Sequence, residues 1–165
     1  MKKFELTAES KINAFGKKLF RIKALISFGS VEEGETGGWV EKEENVNQSG
    51  NAWVFGNAEV SGNARVFGNA EVSGNARVSG NARVSGNAWV FDNADYATIH
   101  GFGTQFRTTT FFRCKDKQVK VSCGCFYGTI PEFREQVKNT RKGKIAEEYL
   151  MIADLMEKHF AEEAK

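Results

Sequence analysis

The chain has 165 residues, a formal net charge of +2, 41% hydrophobic residues and three cysteines. No run approaches the roughly 18 apolar residues of a membrane helix, and an odd number of cysteines argues against a disulfide framework. The opening MKKFELTAES has basic residues but sets Glu5 and Glu9 where the apolar stretch of a secretion signal would stand, so a cytoplasmic location without membrane contact is expected.

Residues 1–45 are expected to form N-terminal capping strands. Lys3 to Leu6 and Leu19 to Ile26 suit two strands around a turn near Gly16, with Phe20, Ile22 and Ala24 on one face and Arg21 and Lys23 on the other. Gly34, Gly37 and Gly38 mark a turn before Trp39 and Val40 lead onward. Between Glu32 and Glu44 lie six glutamates against one lysine, the pattern of a solvated loop or of an anion-rich contact surface.

From Ala52 to Asn93 a six-residue phrase recurs seven times without insertion or deletion: AWVFGN, AEVSGN, ARVFGN, AEVSGN, ARVSGN, ARVSGN and AWVFDN. A fixed short period builds a stack in which each repeat rests on its neighbours. In extended chain, alternate side chains point to opposite faces, so the invariant Ala and Val point inward and the residues between them outward. Gly-Asn supplies the bend, because both residues tolerate positive φ. Val46 to Asn51 and Ala94 to Ile99 continue the frame loosely. Nine phrases over residues 46–99 then make about three coils of eighteen residues, a three-sided prism about 14 Å tall at about 4.8 Å per coil.

Stacking by eighteen sorts the outward residues into three faces. One carries Trp53 and Phe55, then Glu71 and Ser73, then Trp89 and Phe91; a second stacks Glu59, Arg77 and Asp95; the third sets Arg65 over Arg83, with Phe67 beside Ser85. An outward aromatic patch of this kind is rarely left in water. It is covered either by the N-terminal segment or C-terminal helices, or by a partner or second copy of the chain.

Residues 100–165 read as a ββαα module. Thr108 to Cys114 and Val119 to Cys125 suit a hairpin around Lys115 to Gln118, and Thr129-Ile130-Pro131-Glu132 is a capping box opening a helix from about Ile130 to Asn139. A second helix from about Lys144 to Glu163 carries the apolar stripe Ile145, Tyr149, Ile152, Met156 and Phe160, spaced as a core face. Arg107 to Lys144 holds ten Lys or Arg against three acids, a bias that suits an acidic partner, phosphates or a plain solvated surface.

The phrase, with its aliphatic residue followed four positions later by a small one, resembles the hexapeptide-repeat left-handed β-helix. FGKKLFRIKALISFG, GGWVEKEENV and VSCGCFYGTIPEFREQVK, taken with the NAxVxGN repeats, resemble short β-solenoid proteins of bacteriophages and prophages related to YdcK-like solenoid repeats. That resemblance implies a mobile-element setting and a capped solenoid, and assigns no catalytic residue.

Enzyme chemistry finds little purchase. A γ-carbonic-anhydrase-like metal site needs three histidines, and only His100 and His159 exist. Cys114, Cys123, Cys125 and His159 form a poor zinc set, because C-x-C departs from the usual C-x2-C spacing. No cofactor is expected. The leading expectation is a non-enzymatic protein-binding module acting on a host or bacterial-defence protein. Trp53, Phe55, Glu71, Trp89 and Phe91 would form one candidate contact face and Arg65, Arg83 and Phe67 another. The alternatives are a self-assembling scaffold and a degenerate hexapeptide acyltransferase; nucleic acid ranks last.

Overall fold

The computed structural model describes residues 2–161. The chain opens with three strands, β1 (Phe4–Ile12), β2 (Lys18–Ala24) and β3 (Thr36–Val40), and a 3₁₀ turn at Glu43–Asn45. Seven two-residue strands follow, one per phrase: β4 (Trp53–Val54), β5 (Glu59–Val60), β6 (Arg65–Val66), β7 (Glu71–Val72), β8 (Arg77–Val78), β9 (Arg83–Val84) and β10 (Trp89–Val90). A second 3₁₀ turn at Asn93–Asp95 leads to β11 (Tyr96–Phe102), β12 (Arg107–Arg113), β13 (Val119–Cys123), β14 (Phe126–Thr129), α1 (Ile130–Thr140) and α2 (Gly143–Phe160).

The short strands pair in parallel at an offset of eighteen residues, Glu59 with Arg77, Arg65 with Arg83, and Trp53 with Glu71 and then Trp89. Three parallel sheets result, β3-β5-β8, β4-β7-β10 and β6-β9. Every phrase Ala and Val is fully buried, from Ala52 and Val54 to Ala88 and Val90, as the alternation requires. Backbone bonds join the levels, for example Glu59 N to Ala76 O at 3.0 Å and Ser61 N to Val78 O at 2.9 Å. The corner glycines take φ from +59° to +69° over Gly56 to Gly86, a conformation other residues reach only with strain.

The repeat frame at the start of the stack differs from the expected one. Val46, expected to stand where the phrase has Ala, bridges to Val66, where the phrase has Val. Val40 pairs with Val60, so Gly38-Trp39-Val40 is the first phrase of the stack and belongs with the solenoid rather than with the capping strands. The offset there is twenty residues because the corner between Val46 and Val54 is two residues longer than the others. Gly38 replaces the phrase Ala for lack of room: a Cβ there would lie 2.6 Å from Val54 Cγ1 and 2.7 Å from Ala58 O.

At the far end the stack stops where the phrase changes. Asp92 occupies the position of the corner glycine and adopts φ −146° instead of a positive value, so the chain continues outward. Its side chain accepts from Ala94 N at 3.3 Å, and the Asp95 carboxylate accepts from Phe91 N and Asp92 N at 2.9 and 3.0 Å. Ala94 to Ile99, expected as a further phrase, instead enters β11 and pairs antiparallel with β12.

Both ends of a solenoid expose unpaired backbone groups that need partners. At the N-terminal end the Lys3 side chain, only 2% exposed, donates from Nζ to Ala52 O at 2.7 Å and Gly50 O at 3.3 Å. Asn45 Nδ2 donates to Ala64 O at 2.9 Å, and Gln48 Oε1 accepts from Lys3 N and Phe4 N. At the other end Arg83 N donates to Thr110 Oγ1 at 3.0 Å and Lys115 N to Asn87 O at 3.1 Å.

The C-terminal module has four antiparallel strands in the order β11-β12-β13-β14 rather than the hairpin alone. The extra strands escape the sequence because β14 is only FYGT and the start of β11 overlaps the loose phrase Ala94 to Ile99. Successive residues of β12 serve two cores. Phe112 closes the Ala/Val core of the solenoid, while Phe111 packs with Val121, Phe133, Tyr149, Ile152 and Met156 beneath the helices. The helical stripe is thus core: Tyr149, Ile152, Met156 and Phe160 are buried and Ile145 partly so. The capping box forms, with Thr129 N donating to Glu132 Oε1 at 2.9 Å. The expected last positions of the second helix, 162 and 163, lie outside the described residues.

Candidate functional site

The expected aromatic face does not survive as a unit. Trp53 is 1% exposed and stands edge-on to Phe28 at 5.2 Å and Phe4 at 5.8 Å. The N-terminal segment therefore covers it, and Trp53 is a core residue, not a contact anchor. Phe55 is half-buried against the same core. Glu71, between the two tryptophan levels, pairs with Lys115 of the C-terminal module at 3.1 Å. Only Trp89 (49% exposed) and Phe91 (57% exposed) remain open to solvent.

On the second face Glu59 stacks on Arg77 as the repeat requires, but the charges of this face pair elsewhere. Glu59, 7% exposed, turns to the N-terminal hairpin, where Lys11 Nζ lies at 3.1 Å and Asn13 Nδ2 donates at 3.2 Å. Above it, the Lys11 ammonium and the Arg21 guanidinium lie 4.6 and 4.3 Å from the centre of the Trp39 ring, both within cation–π range. Asp95 leaves the stack with β11 and pairs with Arg113 at 3.2 Å. Long-range pairing of the hairpin against this face overrides the neighbour relations that the repeat alone implies.

The third face is the one the structure builds up. Arg65 and Arg83 stand on paired positions of β6 and β9, both exposed, and the Arg83 guanidinium lies 5.2 Å from the centre of the Phe67 ring. The C-terminal module adds Arg107, at the first position of β12. Its guanidinium rests on Gly124, in the tight turn between β13 and β14, where any Cβ would overlap it. Gly124 also holds φ +59°, so the turn favours glycine for its conformation, and the arginine lies in the space a side chain would take. His100 Nδ1 lies 2.9 Å from Thr108 Oγ1 along the same edge.

These groups line two adjoining concavities. One of about 320 Å³ runs from Glu43 and Glu44 past Arg65 and Phe67 to Arg83. The other, of about 460 Å³, holds Arg65 and Arg83 together with His100, Phe106 and Arg107. Among the described residues no carboxylate lies within ion-pair distance of Arg65, Arg83 or Arg107, whereas Arg113, Lys115 and Arg134 are each paired. Repeat arithmetic identifies Arg65, Arg83 and Phe67. Arg107 heads the basic 107–144 stretch without being placed on this face, and His100 and Phe106 are missed, because only docking of the C-terminal sheet brings them there.

The cysteines are distributed over both sides of the sheet. Cys114 is buried in the solenoid core, and burial, reinforced by the Asp116 charge, pushes its thiol up to about 11. Cys123 faces the helices, within 3.2 Å of Thr109 Oγ1, and Cys125 is exposed. His159 packs edge-on against Phe160 at the end of α2. Among the described residues, no cluster of three or more metal-ligating side chains converges.

The sequence model of the YdcK beta solenoid repeat matches this chain over residues 58–74, 70–84 and 76–94. The match covers the last six of the seven uninterrupted phrases and neither cap, so the similarity extends to most of the stack and not to the docked module that supplies Arg107. No curated protein matches the chain. No helix among the described residues is long and apolar enough to cross a membrane.

Proposed function

We propose that this protein is a non-enzymatic binding module, a left-handed three-coil prism with dedicated caps, that engages an acidic surface of another protein through its third face. The observation that carries the reading is the ladder of Arg65, Arg83 and Arg107: exposed guanidinium groups from two parts of the chain that line adjoining concavities with Phe67 and Phe106, none within ion-pair distance of a carboxylate among the described residues. Arginine is favoured at such surfaces because its planar fork bonds carboxylates bidentately and stacks on aromatic rings. The sequence resemblance to phage and prophage solenoid proteins supports a host protein, including one of a bacterial defence system, as the partner, met in the host cytoplasm.

The test is affinity capture from host cytoplasm with the wild-type chain and with an Arg65→Glu/Arg83→Glu double variant. The captured protein is then purified and titrated calorimetrically against each. The proposal expects tight binding that the double variant loses. Equal binding by both removes the third face from the function. Self-assembly is the second reading, favoured by the exposed Glu32, Glu33 and Glu35 of the N-terminal region, which have no ion-pair partner among the described residues and are complementary in charge to the arginine ladder. An acyltransferase remnant would bind acetyl-coenzyme A, and a flat titration dismisses it.

A further inference from the structure

The charges beside the arginine ladder change sign along the stack axis, and we infer that the third face reads an extended acidic peptide segment that carries a basic residue at one end. The inference rests on the binding role proposed above and names the chemistry of what is bound. At the N-terminal level stand Glu43 and Glu44. Glu43 is tied to Lys2 at 3.1 Å, while Glu44 is exposed and has no ion-pair partner among the described residues. Below them come Arg65 and, one level further on, Arg83, with Arg107 and His100 lining the same concavity as both arginines. Levels of a parallel sheet are about 4.8 Å apart, and alternate side chains of an extended peptide about 6.6–6.8 Å apart. Flexible arginine side chains bridge that difference, so successive outward carboxylates of a strand laid along the axis meet successive guanidinium groups.

Apolar contacts fix the site further. Phe106 is 65% exposed at the mouth of the larger concavity and holds φ +52°, a left-handed conformation unusual for a bulky residue. The chain thus holds this ring at the edge of the arginine ladder instead of burying it. Phe67 stacks on Arg83 and offers a second apolar contact within the ladder. A phosphodiester strand carries uniform negative charge, which Glu44 repels; a peptide of mixed sign satisfies both ends of the face. The mixed signs of the face therefore favour a peptide over nucleic acid.

Fluorescence anisotropy on the whole protein tests this with four probes: a peptide with a lysine at one end followed by alternating aspartates, the same residues scrambled, the first peptide with its lysine replaced by glutamate, and oligothymidylate of equal charge. The ordered peptide is expected to bind about tenfold tighter than the scrambled one, about 1.4 kcal/mol. Glu44→Lys should reverse the preference between the lysine-ended and glutamate-ended peptides, with Glu44→Gln intermediate, and Arg83→Glu should abolish binding of all probes. Unchanged circular dichroism verifies that these surface variants fold. Tighter binding of oligothymidylate, equal binding of ordered and scrambled peptides, or indifference to Glu44→Lys overturns the inference. If it falls while Arg65→Glu/Arg83→Glu still loses the captured partner, the binding role stands without the charge-graded segment. If the arginine variants change nothing in either experiment, both fail.

Discussion

Gly74 and Gly80 occupy the same position of neighbouring phrases, with φ +61° and +66°, yet alanine at the two positions should have different costs. At Gly80 a Cβ meets nothing within 4 Å, so Gly80→Ala carries only the left-handed strain of an L-residue, about 1–2 kcal/mol. At Gly74 the same Cβ would overlap the carbonyl oxygen of Phe91 on the next level. Relief requires the two levels to separate, which weakens the bond from Ser73 N to Val90 O, 2.9 Å long. Overpacking of this kind adds about 1–3 kcal/mol, so Gly74→Ala should lose about 2–5 kcal/mol in all. Urea denaturation followed by circular dichroism reads the difference directly. In thermal melts each 1 kcal/mol should appear as about 2–4 °C for a chain of this size. Equal destabilisation of the two variants, or a larger loss at Gly80, would refute the claim that contact between levels, and not glycine conformation alone, sets the corner residue. Gly80→Asn should be milder than Gly80→Ala, because asparagine tolerates the left-handed region.

Further expectations concern the caps and faces. Trp53→Ala should destabilise by about 3–5 kcal/mol as a core truncation and Trp89→Ala by no more than about 1 kcal/mol as an exposed one; comparable losses would contradict the burial described for Trp53. Burial lowers the Lys3 ammonium to about 8 from 10.5. Between those values the unfolded chain holds the extra proton, so stability rises with pH. Relative to Lys3→Met, wild type should therefore gain up to roughly 3 kcal/mol between pH 8 and 10.5. The opposing titration of Cys114 above pH 9 is common to both proteins and cancels in the difference; a flat difference curve would show that Lys3 is solvated. Light scattering should report a mass independent of concentration and salt if self-assembly plays no part, and a salt-sensitive increase abolished by Glu33→Lys if it does.

Much of the stack is legible in the sequence because its determinants are local. An invariant Ala-x-Val with Gly-Asn corners dictates inward and outward positions phrase by phrase, and the eighteen-residue register follows. Gly38-Trp39-Val40 escapes the same reasoning because glycine there replaces alanine for steric reasons, and the corner after Val46 is two residues longer. Asp92 is visible as a departure from the phrase, but its effect as a terminator depends on the hydrogen bonds made by Asp95. For the faces, sequence arithmetic places Arg65 above Arg83 correctly but cannot know that Phe4 and Phe28 roof Trp53, or that Lys11 claims Glu59. Those contacts are made by residues 25 or more positions away, and Arg107 reaches the ladder only through the docking of β12.

Because β12 closes the prism with Phe112 and seats Arg107 on the third face, the number of phrases in the stack governs what that face displays. One added phrase would carry the C-terminal module a third of a turn around the axis and leave Arg65 and Arg83 beside a different edge of it. Three phrases, one full coil of eighteen residues, would restore the alignment while moving Arg107 one level further away. The solenoid can therefore lengthen only in whole coils if its arginine face is to stay assembled, and each such step sets a longer ruler between Glu44 and Arg107. Insertion of a single phrase between Asn81 and Ala82 should thus keep the repeat's circular dichroism and lose the face.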